Sequence, residues 1–228
     1  MKRIVLFVFA FTFSIQTVLF AQSEKRNVDN FSAVSMGIAG DLYITQGSNK
    51  SLEIKGDPDD LEDIVTEVKN STLVIRYKNR GWNIRRDRVS IYLTAPEISK
   101  ISLGGSGKIM SENSISSDRL DISVSGSGKM ILEVEADEIE ASISGSGNMT
   151  LTGDADMVDL TISGSGSLDA EEMMVDRYQI NISGSGKSRI KVGDELEARI
   201  SGSGSVYYTG DPDKVISNVS GSGRVRKF

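Results

Sequence analysis

Aliphatic and polar residues alternate along the second half of the chain, and the tripeptide Gly-Ser-Gly interrupts this alternation at near-constant intervals. The seven copies begin at Gly105, Gly126, Gly145, Gly164, Gly184, Gly202 and Gly221. An aliphatic residue stands two positions before each copy: Leu103, Val124, Ile143, Ile162, Ile182, Ile200 and Val219. An apolar period of two predicts strands with one buried face and excludes a helical array, whose period would be about 3.6.

The repeat predicts how these strands are arranged. Each unit of about 19 residues is expected to contain a strand, the Gly-Ser-Gly turn, a second strand and a second turn. One unit cannot bury its apolar face alone, so units stack in register, with parallel strands about 4.8 Å apart. The predicted fold class is all-β, a parallel β-helix or β-solenoid. The second turn is indicated by the dipeptide Gly-Asp, which begins at Gly56, Gly153, Gly193 and Gly210.

Residues 28–104 have a weaker pattern and are predicted to form irregular rungs of the same stack together with its cap. Thr72–Tyr77 reads as a strand. The spacing of four aliphatic residues predicts a short helical turn: Leu61, Ile64, Val65 and Val68. At the other end, three cations are expected to protect the last strand from pairing with another edge: Arg224, Arg226 and Lys227.

The first 21 residues have the layout of a secretory signal peptide. Lys2 and Arg3 precede an apolar run from residue 4 to residue 20, and the small Ala21 follows. Cleavage would leave one solenoid domain over residues 22–228, with regular rungs from residue 105 onward. It would remove two cations and no acid, so the net charge would change from −6 to −8. The alternative is an uncleaved membrane anchor, because 17 apolar residues are at the short end of the spanning range. No later segment is apolar enough to span a membrane.

The composition excludes several kinds of chemistry. The chain contains no cysteine and no histidine, so it has no disulfide, thiol nucleophile, imidazole metal ligand or serine–histidine relay. Its acidic charge argues against a nucleic-acid partner. No cofactor, metal site or catalytic residue is therefore expected.

The chain resembles a known family at two features: the entry Asn30–Val34 and the repeated Ile-Ser-Gly-Ser-Gly blocks. Together with the signal peptide, these are similar to the putative auto-transporter adhesin, head GIN domain family of secreted bacterial proteins, found largely in the Bacteroidetes. The resemblance covers about residues 28–220. It implies a right-handed parallel β-helix at the cell surface or in the periplasm, and it implies no catalytic residue.

One segment reverses the acidic character of the chain. Between residues 76 and 88 six cations surround one tryptophan, and Asp87 is the one acid. Arginine beside an aromatic ring suits an anionic glycan or an acidic protein surface. The alternative is a solvated hairpin whose cations balance acids elsewhere. We call these residues the basic segment: Arg76, Lys78, Arg80, Trp82, Arg85, Arg86 and Arg88.

Three other features have both functional and structural interpretations. The serines of the Gly-Ser-Gly turns could present hydroxyls to a sugar or to ice, but the favoured interpretation is that they satisfy neighbouring backbone groups. The Gly-Asp turns could bind calcium, although no Asp directly follows Gly-Ser-Gly. Clustered carboxylates could serve a polysaccharide-degrading enzyme: Asp57, Asp59 and Asp60, Asp154 and Asp156, Glu171 and Glu172.

The predicted function is a secreted, non-catalytic, adhesin-like module that binds a glycan or a protein at the cell surface or elsewhere in the cell envelope. The alternative is a periplasmic scaffold or envelope-stress component, and the remote alternative is a carbohydrate-active β-helix enzyme. Charge reversal at Arg85, Arg86 and Arg88 is expected to abolish binding of an anionic ligand without lowering thermal stability.

Overall fold

The computed structural model describes residues 22–78 and 88–228. Strands account for most of these residues, and α1 (Pro58–Asp63) is a short helix near the N-terminal end. The first strands are β1 (Gln22–Arg26), β2 (Ala33–Met36), β3 (Asp41–Gln46), β4 (Ser51–Gly56), β5 (Ile64–Lys69), β6 (Thr72–Tyr77), β7 (Ser90–Ala95), β8 (Lys100–Gly105) and β9 (Lys108–Ser111). The others are β10 (Ile115–Gly126), β11 (Lys129–Gly145), β12 (Asn148–Gly164), β13 (Ser167–Gly184), β14 (Lys187–Gly202), β15 (Ser205–Thr209), β16 (Lys214–Gly221) and β17 (Arg224–Lys227).

From β8 onward the chain is a parallel β-solenoid, which confirms the predicted fold class. The strands before each Gly-Ser-Gly form one face, which we call the first face, in the order β8, β10, β11, β12, β13, β14 and β16. The strand segments after each turn form the second face, which ends with β15 and β17. The register advances by one unit per rung, so Val124 lies opposite Ile143 and Ile143 opposite Ile162.

The second turn is the predicted break between strands at Gly210-Asp211, which lies between β15 and β16, but not at two other copies. Gly153-Asp154 lies inside β12, and Gly193-Asp194 lies inside β14. The chain bends at these positions while the parallel hydrogen-bond ladder continues along most of the corner. Gly153 has φ 106°, and a Cβ at this residue would collide with the carbonyl oxygen of Val134. Glycine therefore bends the strand here without ending it.

The inward columns form one continuous apolar core, as the alternation predicts. Aliphatic residues such as Val124, Ile143 and Ile162 are at most 1% exposed. Two hydroxyls are buried among them, those of Tyr178 and Ser188, and neither has a hydrogen-bond partner within the described residues. Burial strongly raises the pKa of the Tyr178 phenol. Ser188 occupies an inward position between Leu168 and Val206 on the neighbouring strands.

The N-terminal rungs belong to the same stack, but their spatial order differs from their order in the chain. Strand β2 lies between β6 and β8, and β3 lies between β7 and β9. The rung built from β6 and β7 therefore lies nearer the N-terminal end of the stack than the rung built from β2 and β3, although β2 and β3 come first in the sequence. Antiparallel strands then cover this end, because β5 pairs with β6, β4 with β7 and β1 with β4.

The predicted helical turn at residues 61–68 is largely wrong. Helix α1 contains Leu61 but ends at Asp63. Ile64, Val65 and Val68 belong to β5, which forms a hairpin with β6. Asp57 caps the helix and Pro58 begins it, whereas the β-branched residues that follow favour a strand. The hairpin turn is sharp because Asn70 and Ser71 have positive φ values of 49° and 58°.

The C-terminal end of the stack is open in the described chain. Strand β16 pairs with β14 alone, and β17 pairs with β15 alone. Val215 and Val219 continue inward columns, yet each is 42% exposed because no further rung covers it. No helix among the described residues is long and apolar enough to cross a membrane.

Candidate functional site

The Gly-Ser-Gly turns form a column along one edge of the solenoid, and both glycines are required by geometry. The first glycine of each copy has φ between 99° and 122°, which side-chain-bearing residues rarely adopt. The second glycine packs over an aliphatic side chain of the preceding rung; a Cβ on Gly166 would clash with Ile143 Cγ2. The backbone ladder continues through the turn, since Ser165 N donates to Gly145 O at 2.8 Å and Ser167 N donates to Gly147 O at 3.0 Å.

The serines of this edge point outward. All of them are exposed, and their hydroxyls form no hydrogen bond with any protein group that the structure describes. The expectation that they satisfy the backbone is therefore wrong: the main-chain N–H groups continue the ladder, and the hydroxyls face solvent. We call the two columns the serine ribbon: Ser106, Ser127, Ser146, Ser165, Ser185, Ser203 and Ser222, with Ser125, Ser144, Ser163, Ser183, Ser201 and Ser220.

The ribbon alone gives a weak binding surface. A ligand hydroxyl that bonds to an exposed serine replaces a bond to water, so each such bond contributes only about 0.5–1.5 kcal/mol net. Neutral hydroxyls also provide no long-range attraction. The ribbon therefore suits a supporting role beside groups that carry charge or an aromatic face.

The basic segment begins in β6 with Arg76 and continues between β6 and β7, where the structure describes only residues 78, 88 and 89. Gly37 N donates to Ile75 O at 2.8 Å, and Asp41 N donates to Val89 O at 2.9 Å. The register thus places the end of β6 and the start of β7 beside the β2–β3 turn, which in turn lies beside the first Gly-Ser-Gly. Twelve residues join β6 to β7, whereas two join β8 to β9.

The structure describes three residues of the basic segment, and two of them form ion pairs. Arg76 Nε donates to Glu67 Oε1 at 3.1 Å, and Arg88 Nη1 donates to Asp41 Oδ1 at 3.2 Å. Lys78 is exposed and lies close enough to Glu24 to help lower the pKa of that carboxyl, although the Arg26 side chain is the main cause. Arg80, Trp82, Arg85 and Arg86 lie outside the described residues.

The carboxylate clusters do not form a metal site in the part of the chain that the structure describes, where no group of three or more acids is arranged to hold a metal ion. Individual carboxylates have structural contacts. Asp57 Oδ1 accepts the backbone N–H of Asp59 and caps α1, Asp211 pairs with Lys227, and Glu171 pairs with Arg189 at 3.4 Å.

One carboxylate on the first face is energetically unfavourable at neutral pH. Partial burial raises the pKa of Asp159 above its ordinary value of 3.8, and the nearby Glu140 and Glu138 add to the shift. Glu140 is the register partner of Asp159 on the neighbouring strand. The folded state therefore holds this proton more tightly than the unfolded state does, so stability declines as the pH rises above 3.8.

Asp159→Asn is expected to raise the melting temperature at pH 7, because it removes a partly buried charge and its repulsion by Glu140 and Glu138. A gain on the order of 0.2–1 kcal/mol is typical for such pairs. The gain should fade below pH 3.8, where the native carboxyl is also neutral. Thermal unfolding at pH 7 and pH 3 checks this, and an equal gain at both values would show that charge is not the cause.

Sequence reasoning missed a second group of cations, at the C-terminal end of the second face. Lys187 and Arg189 lie two strands from Arg224 and Arg226 in the parallel register. The signal was the alternation of basic residues in Lys187-Ser-Arg-Ile-Lys191 and Arg224-Val-Arg. Only the stacking register brings these two segments together.

Comparison with known proteins places the fold among adhesin-like β-solenoids. The chain belongs to the family described as putative auto-transporter adhesin, head GIN domain, whose sequence model matches residues 30–212. This confirms the resemblance seen in the sequence. Comparison with curated proteins found no match.

Several crystal structures share the fold. A putative adhesin from Bacteroides fragilis is 24% identical, with a TM-score of 0.87 over 94% of this chain and 100% of its own. A putative lipid binding protein from Parabacteroides distasonis is 23% identical, with a TM-score of 0.75 over 91% of this chain and 96% of its own. A putative adhesin from Parabacteroides merdae is 23% identical, with a TM-score of 0.73 over the same shares.

Proposed function

We propose that the chain is an exported, non-catalytic binding module of the bacterial envelope, and that its basic segment contacts an anionic glycan or an acidic protein surface. The observation that carries this proposal is the place of the segment in the stack. In solenoids, insertions into single repeats collect on one face, which is often the binding face. Here a long connection containing four arginines, a lysine and a tryptophan replaces the tight turn of its column.

Two ion pairs reduce the number of basic-segment residues that are available to a ligand. Arg76 and Arg88 are held by Glu67 and Asp41, so their charges are partly neutralised. The proposed contact residues are therefore Lys78, Arg80, Trp82, Arg85 and Arg86. Arginine supplies forked donors for carboxylate or sulfate groups, and the indole supplies a flat apolar surface for a sugar ring.

A non-catalytic role fits the acids and the architecture. Asp57 caps a helix, Glu171 and Asp211 pair with cations, and the turns of the regular rungs are short and uniform. Family membership supports an exported protein, and residues 1–21, the proposed signal peptide, lie outside the described residues. Exposure on the outer surface is part of the proposal, with a periplasmic scaffold as the competing location.

Binding is tested with Arg85→Glu/Arg86→Glu, which leaves the Arg88–Asp41 pair in place. The probes are immobilised dextran sulfate and polygalacturonate. The proposal expects at least a tenfold loss of affinity with an unchanged melting temperature. Lys129→Glu/Arg177→Glu is the matched control, because it makes the same change in net charge on exposed cations of the regular rungs and should keep most of the affinity.

Unchanged binding in the Arg85/Arg86 variant would remove the basic segment from the proposal. Location is tested by protease treatment of intact cells, using an antibody against the mature chain and a periplasmic control protein. Full protection until the outer membrane is permeabilised would contradict a surface adhesin and favour the periplasmic scaffold.

A further inference from the structure

Three adjacent strands at the C-terminal end of the second face form a basic outward surface. Basic residues project from β14 and β17, and neutral polar residues project from β15 between them. Outward residues recur about every 6.6 Å along a strand, and strands two rungs apart are separated by about 9.6 Å. We call this surface the terminal platform: Lys187, Arg189, Lys191, Ser205, Tyr207, Thr209, Arg224 and Arg226.

Most of these cations are not neutralised. Among the described residues, Lys187, Lys191, Arg224 and Arg226 form no ion pair within 4.0 Å, and Arg189 meets only Glu171, at 3.4 Å. Several cations on the first face differ, because acids on their own or the neighbouring strand pair with them. Such pairs join Arg119 to Glu138 at 2.8 Å and to Glu140 at 3.2 Å, and Lys214 to Glu195 at 2.6 Å. In an acidic chain, the terminal platform is thus a local and uncompensated positive field.

The centre of the terminal platform is aromatic and shallow. Lys187 Nζ lies 5.0 Å from the centroid of the Tyr207 ring, and Phe228 meets that ring edge-on at a centroid distance of 6.3 Å. A groove of about 500 Å³ runs between these side chains and Arg189, with Glu171 on its margin. Glu171 and the exposed Asp169 lie on β13 and mark the boundary of the basic surface.

The geometry points to the terminal platform as a second binding site, for a linear anionic polysaccharide laid across β14, β15 and β17. Arginine and lysine at fixed spacings match a polymer that repeats carboxylate or sulfate groups. The hydroxyls of Ser205, Tyr207 and Thr209 lie between the cations, where they can bond to sugar hydroxyls. This site is at the opposite end of the stack from the basic segment, and it does not depend on the function proposed for that segment.

Two other occupants fit less well. An acidic protein strand would pair with the free edge of β17, but the main-chain groups of β14 and β15 are already bonded to their neighbours, so Lys187 and Arg189 would not be reached. An anionic membrane surface would need apolar groups to insert. Phe228, 56% exposed, is the one large apolar side chain beside the platform that the structure shows strongly exposed.

The test measures affinity for dextran sulfate and polygalacturonate in the intact mature chain that carries Arg85→Glu/Arg86→Glu, so that the basic segment does not contribute to binding. Arg224→Glu/Arg226→Glu and, separately, Lys187→Glu/Arg189→Glu are each expected to weaken binding at least tenfold. Lys108→Glu/Lys129→Glu is the matched control, since Lys108 and Lys129 lie in the same outward column as Lys187 and Arg224, nearer the other end. It should weaken binding less than threefold. Circular dichroism confirms folding of each variant.

Several outcomes would overturn the inference. Equal losses of affinity in the platform and control variants would show that the net charge of the chain alone attracts the polysaccharides. No binding of either polysaccharide by the native chain would remove the site. Polyglutamate that competes as well as the polysaccharides would assign the surface to acidic proteins, and preferential binding of vesicles containing phosphatidylglycerol would assign it to membranes. Complete loss of binding in the Arg85→Glu/Arg86→Glu chain, with binding by the native chain, would leave the proposed function standing and the terminal platform without a ligand.

Discussion

Gly164→Ala is expected to destabilise the protein by about 2 kcal/mol or more, although it adds only one methyl group to an exposed turn. Gly164 has φ 118°, where an alanine is strained in any surroundings. Its Cβ would also lie 2.6 Å from the carbonyl oxygen of Gly145 on the preceding rung. The colliding atom belongs to a backbone held by the turn ladder, so it cannot move aside as a flexible side chain would.

The neighbouring Ser165 provides the control. Its side chain is exposed and without a hydrogen bond to the described protein groups, so Ser165→Ala should change stability by less than about 0.5 kcal/mol. Urea unfolding followed by circular dichroism measures both variants. A large loss of stability in Ser165→Ala would show that the hydroxyls of the serine ribbon stabilise the turn. A small loss of stability in Gly164→Ala would show that the backbone of the turn can shift to accommodate a Cβ.

The sequence predicts the regular rungs well because the same pattern, an alternating strand followed by Gly-Ser-Gly, occurs seven times. Every unit has an inward aliphatic residue at the same position before Gly-Ser-Gly, and the glycine columns mark the turns independently. The N-terminal rungs lack this redundancy. Nothing in the alternation of β2 and β3 shows that they lie between β6 and β8 in one face and β7 and β9 in the other. That order depends on long-range pairing, which a local pattern does not contain.

The candidate sites were less predictable for the same reason. The basic segment is continuous in sequence and was found directly, but the pairing of Arg88 with Asp41 joins residues 47 positions apart. The terminal platform combines Lys187 with Arg224, which are close only through the stacking register. Without that register, Arg224 and Arg226 predict only the protection of an edge strand. The burial of Ser188 is also not predicted from the sequence. Inward positions are recognised by their apolar residues, and Ser188 is polar.

The second large effect is expected in the core, and it should depend on position along the stack. Val124 and Val219 occupy the same inward column, but Val124 is 1% exposed and Val219 is 42% exposed. Val124→Ala removes methyl groups packed between two rungs and should cost about 2–3 kcal/mol through lost burial and the cavity left behind. Val219→Ala has a rung on one side only and should cost less than about 1 kcal/mol.

This pair of identical substitutions also tests whether the C-terminal end is open in solution. In a stacked repeat, each rung gains stability from its immediate neighbours, so a terminal residue should contribute roughly half of what an interior one does. Urea unfolding with equal m values for both variants gives the comparison. If Val219→Ala cost as much as Val124→Ala, another surface would have to cover Val219. Because β17 presents Arg224 and Arg226 beside this end, that surface would need to be acidic or uncharged, and a cost that grows with protein concentration would identify it as a second copy of the chain.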